Sequence, residues 1–208
     1  METNKKKHKI LWIGLGGFIG IIILIISIIG GKMYMDTKRE EALYKHGFRL
    51  LEEQLAIYTK EHYEGVSKIE FSPIFEDGGD GYSMYTLKMV PVIYDKHGNR
   101  AIMGGKIGKV HHAFYGLNGG LTLDFDGGDG SEVIILKNLD TGEEVDVSGY
   151  KHIPTKAKLD SYQFFDENIE DLVRIGQLKG VKKSDKGSPT AKVTYNTEIR
   201  QGDYQEWH

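Results

Sequence analysis

The sequence predicts an α+β protein with an N-terminal transmembrane helix, and three observations carry this prediction. An uncharged run occupies residues 10–31, and the residues after it place apolar side chains at three- and four-residue steps. Most of the remaining chain alternates short apolar stretches with turns rich in Gly and Asp. We therefore expect a transmembrane helix, an amphipathic helix packed on a mainly antiparallel β-sheet, a second short helix and a last strand.

The apolar run is long enough for a membrane span. As a helix, its 22 residues rise roughly 33 Å, which covers the hydrocarbon core of a bilayer. Four lysines lie among the nine residues before it, and the positive-inside rule places such a segment in the cytoplasm. The expected organisation is a cytoplasmic N-terminus (1–9), a transmembrane helix (10–31) and an extracellular α+β domain (32–208), anchored in the cell membrane as an integral protein.

A cleaved signal peptide is the alternative to a membrane helix. We favour the helix, because the apolar core of a signal peptide is normally shorter and is followed by a small-residue cleavage site. Gly16 and Gly20 form a G-x-x-x-G spacing, which favours close packing of two membrane helices, although glycine is common in such helices and the oligomeric state stays open. The chain has no cysteine, which excludes disulfides and lipid-modified cysteines.

After the apolar run, residues 36–64 show a helical period. The stripe contains Leu43, Gly47, Leu50, Leu51, Gln54, Leu55, Tyr58 and His62, whereas charged residues including Glu52 and Glu53 point mostly away. Gly65 follows where a left-handed residue ends a helix. The stripe predicts that this helix packs on the sheet that follows.

Alternating apolar residues then predict strands, which short polar turns join in antiparallel fashion. The predicted strands are 66–75, 82–94, 100–110, 112–116, 121–126, 132–138, 143–147 and 191–199. Pro91 predicts an edge strand or a bulge. A second helix is predicted around residues 165–178, with Asp166 as its cap. One domain is the simpler interpretation, and a division near Tyr150 is the alternative.

The pentapeptide DGGDG occurs at residues 77–81 and again at 126–130, between predicted strands. The second copy offers a weak calcium site, whose candidate ligands are Asp124, Asp126, Asp129 and Glu132. The alternative is a tight turn, in which glycine supplies positive φ angles and aspartate bonds the turn backbone. We favour turns, because calcium-binding repeats must stack every nine residues and the EF-hand pattern is not met.

Other chemistry is not indicated. His111 and His112 are neighbours in a predicted strand, so their side chains point to opposite faces and do not reach one metal. No P-loop, zinc-protease or serine-nucleophile motif is present, so no catalytic residue, no cofactor and no enzyme activity are expected. With 27 basic and 30 acidic residues and no basic stripe, the chain is not expected to bind nucleic acid.

The lysine-rich start, the single span and an amphipathic helix ending in HYEGVSKIEF together resemble small single-pass or lipoprotein-like surface proteins of Gram-positive bacteria, some of which are immunity proteins. The predicted anchor, the acidic part of the chain after it and the lack of active-site motifs predict a membrane-anchored extracytoplasmic binding module that acts by protein contact, with an immunity or cell-envelope factor as specific forms. The alternative is a cell-surface enzyme that uses acidic residues on wall polymer or lipid.

Overall fold

The protein is described by a computed structural model that covers residues 2–78 and 85–207, without the side chains of residues 2–26, Ile28 and Glu206. The α-helices are α1 (Glu2–His62) and α2 (Gln163–Arg174), and short 3-10 helices occupy Thr155–Ala157 and Tyr204–Glu206. The strands are β1 (Tyr63–Glu64), β2 (Val66–Phe71), β3 (Ile74–Asp77), β4 (Thr86–Met89), β5 (Pro91–Asp95), β6 (Arg100–Ile102), β7 (Gly105–Ile107), β8 (Val110–His112), β9 (Tyr115–Leu117), β10 (Gly120–Phe125), β11 (Glu132–Lys137), β12 (Glu144–Asp146), β13 (Lys182–Lys183), β14 (Lys192–Thr194) and β15 (Ile199–Gln201). The α+β class agrees with the prediction.

The predicted transmembrane helix needs correction. Among the residues that the structure describes, no helix has a stretch both long and apolar enough to cross a lipid bilayer. From Lys32 onward, α1 carries charges of both signs, including Asp36 and Lys38, which are costly in hydrocarbon. The structure therefore does not support three assignments: a membrane span at residues 10–31, a location in the cell membrane and the bilayer as an integral partner. The surroundings of Gly16 and Gly20 lie outside what the structure describes.

The chain divides into two compact units, Met1–Ala42 and Leu43–His208. In the first unit, the described side chains of Met33, Tyr34 and Met35 are exposed. The second unit begins inside α1, so residues 43–62 of this helix belong to the β-rich part of the chain.

Residues 43–62 of α1 form a central part of the second unit. The predicted apolar stripe is buried, as shown by Leu51 and Leu55, which are 1% and 0% exposed. A Cβ atom at Gly47 would overlap the Leu123 side chain, which shows how closely the helix approaches β10. The prediction that Glu52 and Glu53 point to solvent is wrong: both are buried, because later segments of the chain cover this side of the helix.

The described strands form four sheets. The seven-stranded sheet has the order β12-β11-β10-β9-β4-β3-β15, the four-stranded sheet has the order β14-β2-β5-β6, and β1-β13 and β7-β8 are two-stranded. Parallel pairing is limited to β9 with β10, β14 with β2 and β15 with β3 among the described strands, and the other pairs are antiparallel. The mainly antiparallel arrangement agrees with the prediction. The last two parallel pairs bring the C-terminal segment back beside the first strands of the second unit.

The stretches predicted as single strands at 66–75 and 82–94 each divide between the two large sheets. The change occurs at Ser72, whose N–H donates to the Val90 carbonyl oxygen at 3.1 Å and whose hydroxyl oxygen accepts the Val90 N–H at 2.9 Å. The edge strand predicted from Pro91 is wrong, because β5 lies between β2 and β6. Proline is tolerated there since it is the first residue of its strand.

Candidate functional site

The second DGGDG copy lies in the turn between β10 and β11, and its aspartates bond the turn backbone. Asp126 Oδ1 accepts N–H bonds from Gly128 at 2.7 Å and from Asp129 at 3.2 Å. Asp129 Oδ1 accepts the N–H of Ser131 at 2.8 Å. These backbone donors lower the pKa of both carboxyl groups. The two carboxylates therefore stabilise the turn by binding its backbone N–H groups, as is typical of Asp-rich turns.

The other two calcium candidates face different partners. Asp124 Oδ1 accepts the N–H of Phe125 at 2.7 Å, and Glu132 Oε2 lies 2.7 Å from His46 Nδ1. Among the described residues, no group of three or more His, Asp or Glu side chains is placed to hold a metal ion. The structure therefore does not bring the four candidates together. In the first DGGDG copy, residues 79–81 lie outside the described residues.

We expect the melting temperature of the full chain to be unchanged by millimolar Ca²⁺, because a ligand stabilises a fold only when it binds the folded state. Differential scanning calorimetry with Ca²⁺ and with chelator measures this directly. A rise of several degrees that disappears in Asp126→Ala and Asp129→Ala would contradict the turn interpretation.

The two adjacent histidines of β8 have different environments. His111 is exposed, whereas the side chain of His112 is only 6% exposed and its Nε2 lies 2.9 Å from Asp171 Oδ2. This alternation follows from the pleat of a strand. The His112–Asp171 contact joins the β7–β8 hairpin to α2.

Helix α2 is positioned by a residue outside it. Its first two N–H groups, of Gln163 and Phe164, donate to the carboxylate of Asp140 in the β11–β12 connection, the second at 2.9 Å. A carboxylate at this end is favoured by unpaired N–H groups and by the helix dipole. The prediction of Asp166 as the cap is wrong, since Asp166 points into the protein and is 7% exposed.

Asp166 instead accepts hydrogen bonds from two tyrosine hydroxyls of the α1–β1 region. Tyr58 donates to its Oδ1 at 2.9 Å and Tyr63 at 2.6 Å, while Lys183 pairs with Oδ2. Burial, followed by the bond to Asp166, raises the pKa of both tyrosines, so both hydroxyls keep their protons and donate. The sequence offered one signal for this network: a tyrosine on an apolar stripe needs a buried partner for its hydroxyl.

Two residues of this network, Tyr63 and Lys183, also line a groove between α2 and β13, which we call the α2 groove. Its volume is about 350 Å³. Its apolar lining consists of Tyr63, Ile169, Val173 and Val181, and its charged lining consists of Glu170, Arg174, Lys182 and Lys183. The helical period of α2 explains why two of the apolar residues lie together at the floor of the groove: Ile169 and Val173 are four residues apart and lie on one face of the helix.

A second groove, which we call the polar groove, lies between the β11–β12 hairpin and residues 155–161. Its volume is about 490 Å³. Gln54 of α1 lines it and donates through Nε2 to the Ala157 carbonyl oxygen at 2.7 Å, which holds the loop on the helix. Two carboxylates, those of Glu143 and Asp160, line the groove, and both residues are exposed.

No protein-family model, curated protein or solved structure matches the chain.

Proposed function

We propose that the protein is a binding module that acts by protein contact, and that the α2 groove takes apolar side chains of a segment of a partner protein. The observation that carries the proposal is the apolar lining of this groove, in which Val173 is half-buried and the other three residues are nearly fully buried, surrounded by charged side chains. Pockets with an apolar lining and a few polar groups are the usual form of a binding site.

The dimensions suit a short segment of polypeptide. A space of about 350 Å³ accommodates a few side chains, and burying each one fully gains roughly 1.5 to 3 kcal/mol. The walls are fixed in advance, since the Tyr63 hydroxyl donates to Asp166 and Ile169 is part of the core. A preformed site loses little conformational entropy on binding.

The backbone beside the groove adds a second means of contact. β13 has a single strand neighbour, β1, among the described strands. An extended segment that lies along β13 would continue this two-stranded sheet, as in peptide recognition by strand addition.

The enzyme alternative has less support. A pair of catalytic carboxylates needs environments that direct the two groups to different protonation states. Glu143 and Asp160 share the polar groove, but both are exposed, so burial does not give the two carboxyl groups different environments. The buried Glu52 is 0% exposed and lines neither groove.

The test is a selection of random short peptides, displayed on phage, against the immobilised full chain. We expect enriched peptides with apolar side chains, and their affinity should fall roughly tenfold in Val173→Gln, because an apolar contact of the floor is lost.

Ile175→Gln is the matched control, since Ile175 is 41% exposed at the same end of α2 but does not line the groove. Failure to enrich any peptide, or equal affinities for wild type and Val173→Gln, would refute the proposed function.

A further inference from the structure

Three basic side chains at the α2 groove reach toward solvent. The side chain of Lys182 is 72% exposed, that of Arg174 is 66% exposed and that of Lys183 is 52% exposed. All three line the same groove around its apolar floor. A segment bound on the floor would therefore lie beside three cations.

Each cation is held by a carboxylate that lies deeper in the protein. Arg174 pairs with Asp171 and Lys183 with Asp166, and both carboxylate side chains are only 10% exposed. Lys182 Nζ lies 3.0 Å from Glu64 Oε1, on a side chain that is 26% exposed. The carboxylates thus orient the cations from below, while the cationic ends form the outer surface.

These ion pairs leave hydrogen-bonding capacity for a ligand. A guanidinium has five N–H donors and an ammonium has three, and each of the pairs uses only part of this number. A carboxylate suits these donors, because charge-assisted bonds between such groups are short and strong.

Glu170 is the one acidic residue of the groove lining and opposes an acidic ligand. The groove lining itself has three cations and this one carboxylate, and the carboxylates that pair with the cations are less exposed than the cations are. A nucleic acid fits this site less well, because Tyr63, the aromatic residue of the lining, is buried and offers no exposed ring for base stacking, and the whole chain has a formal net charge of −3.

Resting on the proposed function, we infer that the partner segment of the α2 groove is acidic: its apolar side chains occupy the floor, and flanking Asp or Glu carboxylates bind Arg174, Lys182 and Lys183.

The experiment uses the most enriched peptide from the selection and a twin in which every Asp and Glu is replaced by Asn and Gln. Fluorescence polarisation with the full chain gives both affinities. We expect the acidic peptide to bind roughly tenfold more tightly than its twin, since a few exposed ion pairs contribute this much together. The advantage should shrink at roughly 300 mM salt, where the Debye length is short.

Arg174→Gln/Lys182→Gln should remove the advantage, whereas Lys151→Gln/Lys192→Gln, which removes two exposed charges outside the groove, should keep it. Selected peptides without Asp or Glu, or equal binding of the twins, would overturn the inference. If Val173→Gln still weakens binding in that case, the proposed function stands. Displacement of the peptide by a single-stranded oligonucleotide would overturn the acidic-segment assignment in favour of nucleic acid.

Discussion

Leu51→Ala and Leu55→Ala are each expected to lower the free energy of unfolding of the full chain by roughly 2 to 5 kcal/mol. Both leucines are almost fully buried and belong to the main core cluster. Truncation to alanine loses their transfer free energy and leaves a cavity that close-packed neighbours do not fill completely. Urea denaturation followed by circular dichroism measures the change.

Met35→Ala is the control on the same helix, because Met35 is 70% exposed and its replacement should change the free energy by less than about 0.5 kcal/mol. A chain that starts at Val66 should lack cooperative unfolding, since the β-rich unit would lose the helix that begins it at Leu43. Cooperative unfolding of that shorter chain with unchanged stability would show that α1 is only a spacer.

The second large expected effect is a pH dependence of the free energy of unfolding that arises from Glu52. Burial of this side chain raises its pKa from 4.5 to about 8. Both carboxyl oxygens accept the Asn196 N–H, at 3.1 and 3.3 Å, and Arg49 and Glu53 are the charged groups that influence it. The folded state therefore holds the Glu52 proton more tightly than the unfolded state does.

The sign of the effect follows from this difference. Between pH 4.5 and pH 8 the folded state binds more protons, so the free energy of unfolding falls as the pH rises through this window. One pKa unit corresponds to about 1.4 kcal/mol, which makes the whole window worth roughly 3 to 6 kcal/mol. Glu52→Gln should remove this dependence, because glutamine keeps an acceptor for the Asn196 N–H and does not titrate.

Urea denaturation at several pH values between 5 and 8 gives the comparison. The difference between Glu52→Gln and wild type should grow with pH, and Glu143→Gln, at an exposed site, is the control for the same replacement elsewhere in the chain. Parallel curves for Glu52→Gln and wild type would show that Glu52 does not titrate in this range.

The sequence predicted elements whose determinants are local. The stripe through Leu51 and Leu55, the period of α2 and the turn at residues 126–130 each depend on neighbouring residues, and the structure places them as expected. Local patterns could not predict that the chain passes from one large sheet to the other at Ser72. Its hydrogen bonds to Val90 join residues 18 positions apart, and no local pattern specifies them.

Contacts between distant residues also limited the prediction of the candidate site. The sequence predicts that Glu52 faces solvent, but in the fold the distant Asn196 covers it. The sequence also predicts that Asp166 caps α2, but Asp140 of another loop binds the first N–H groups of this helix instead. The α2 groove combines residues of α2 with Tyr63 and the β13 region, which only the tertiary fold brings together. Sequence periodicity identified Ile169 and Val173 as apolar but did not show that they line a groove.

The location of the bound peptide tests the central claim most directly. Two-dimensional ¹⁵N NMR spectra of the full chain, recorded with and without the most enriched peptide, would map the contact residue by residue. The proposed function predicts that the largest chemical-shift changes fall at residues 169–174 and 181–183, around the α2 groove. Changes concentrated instead at residues 136–145 and 155–161, around the polar groove, would contradict it.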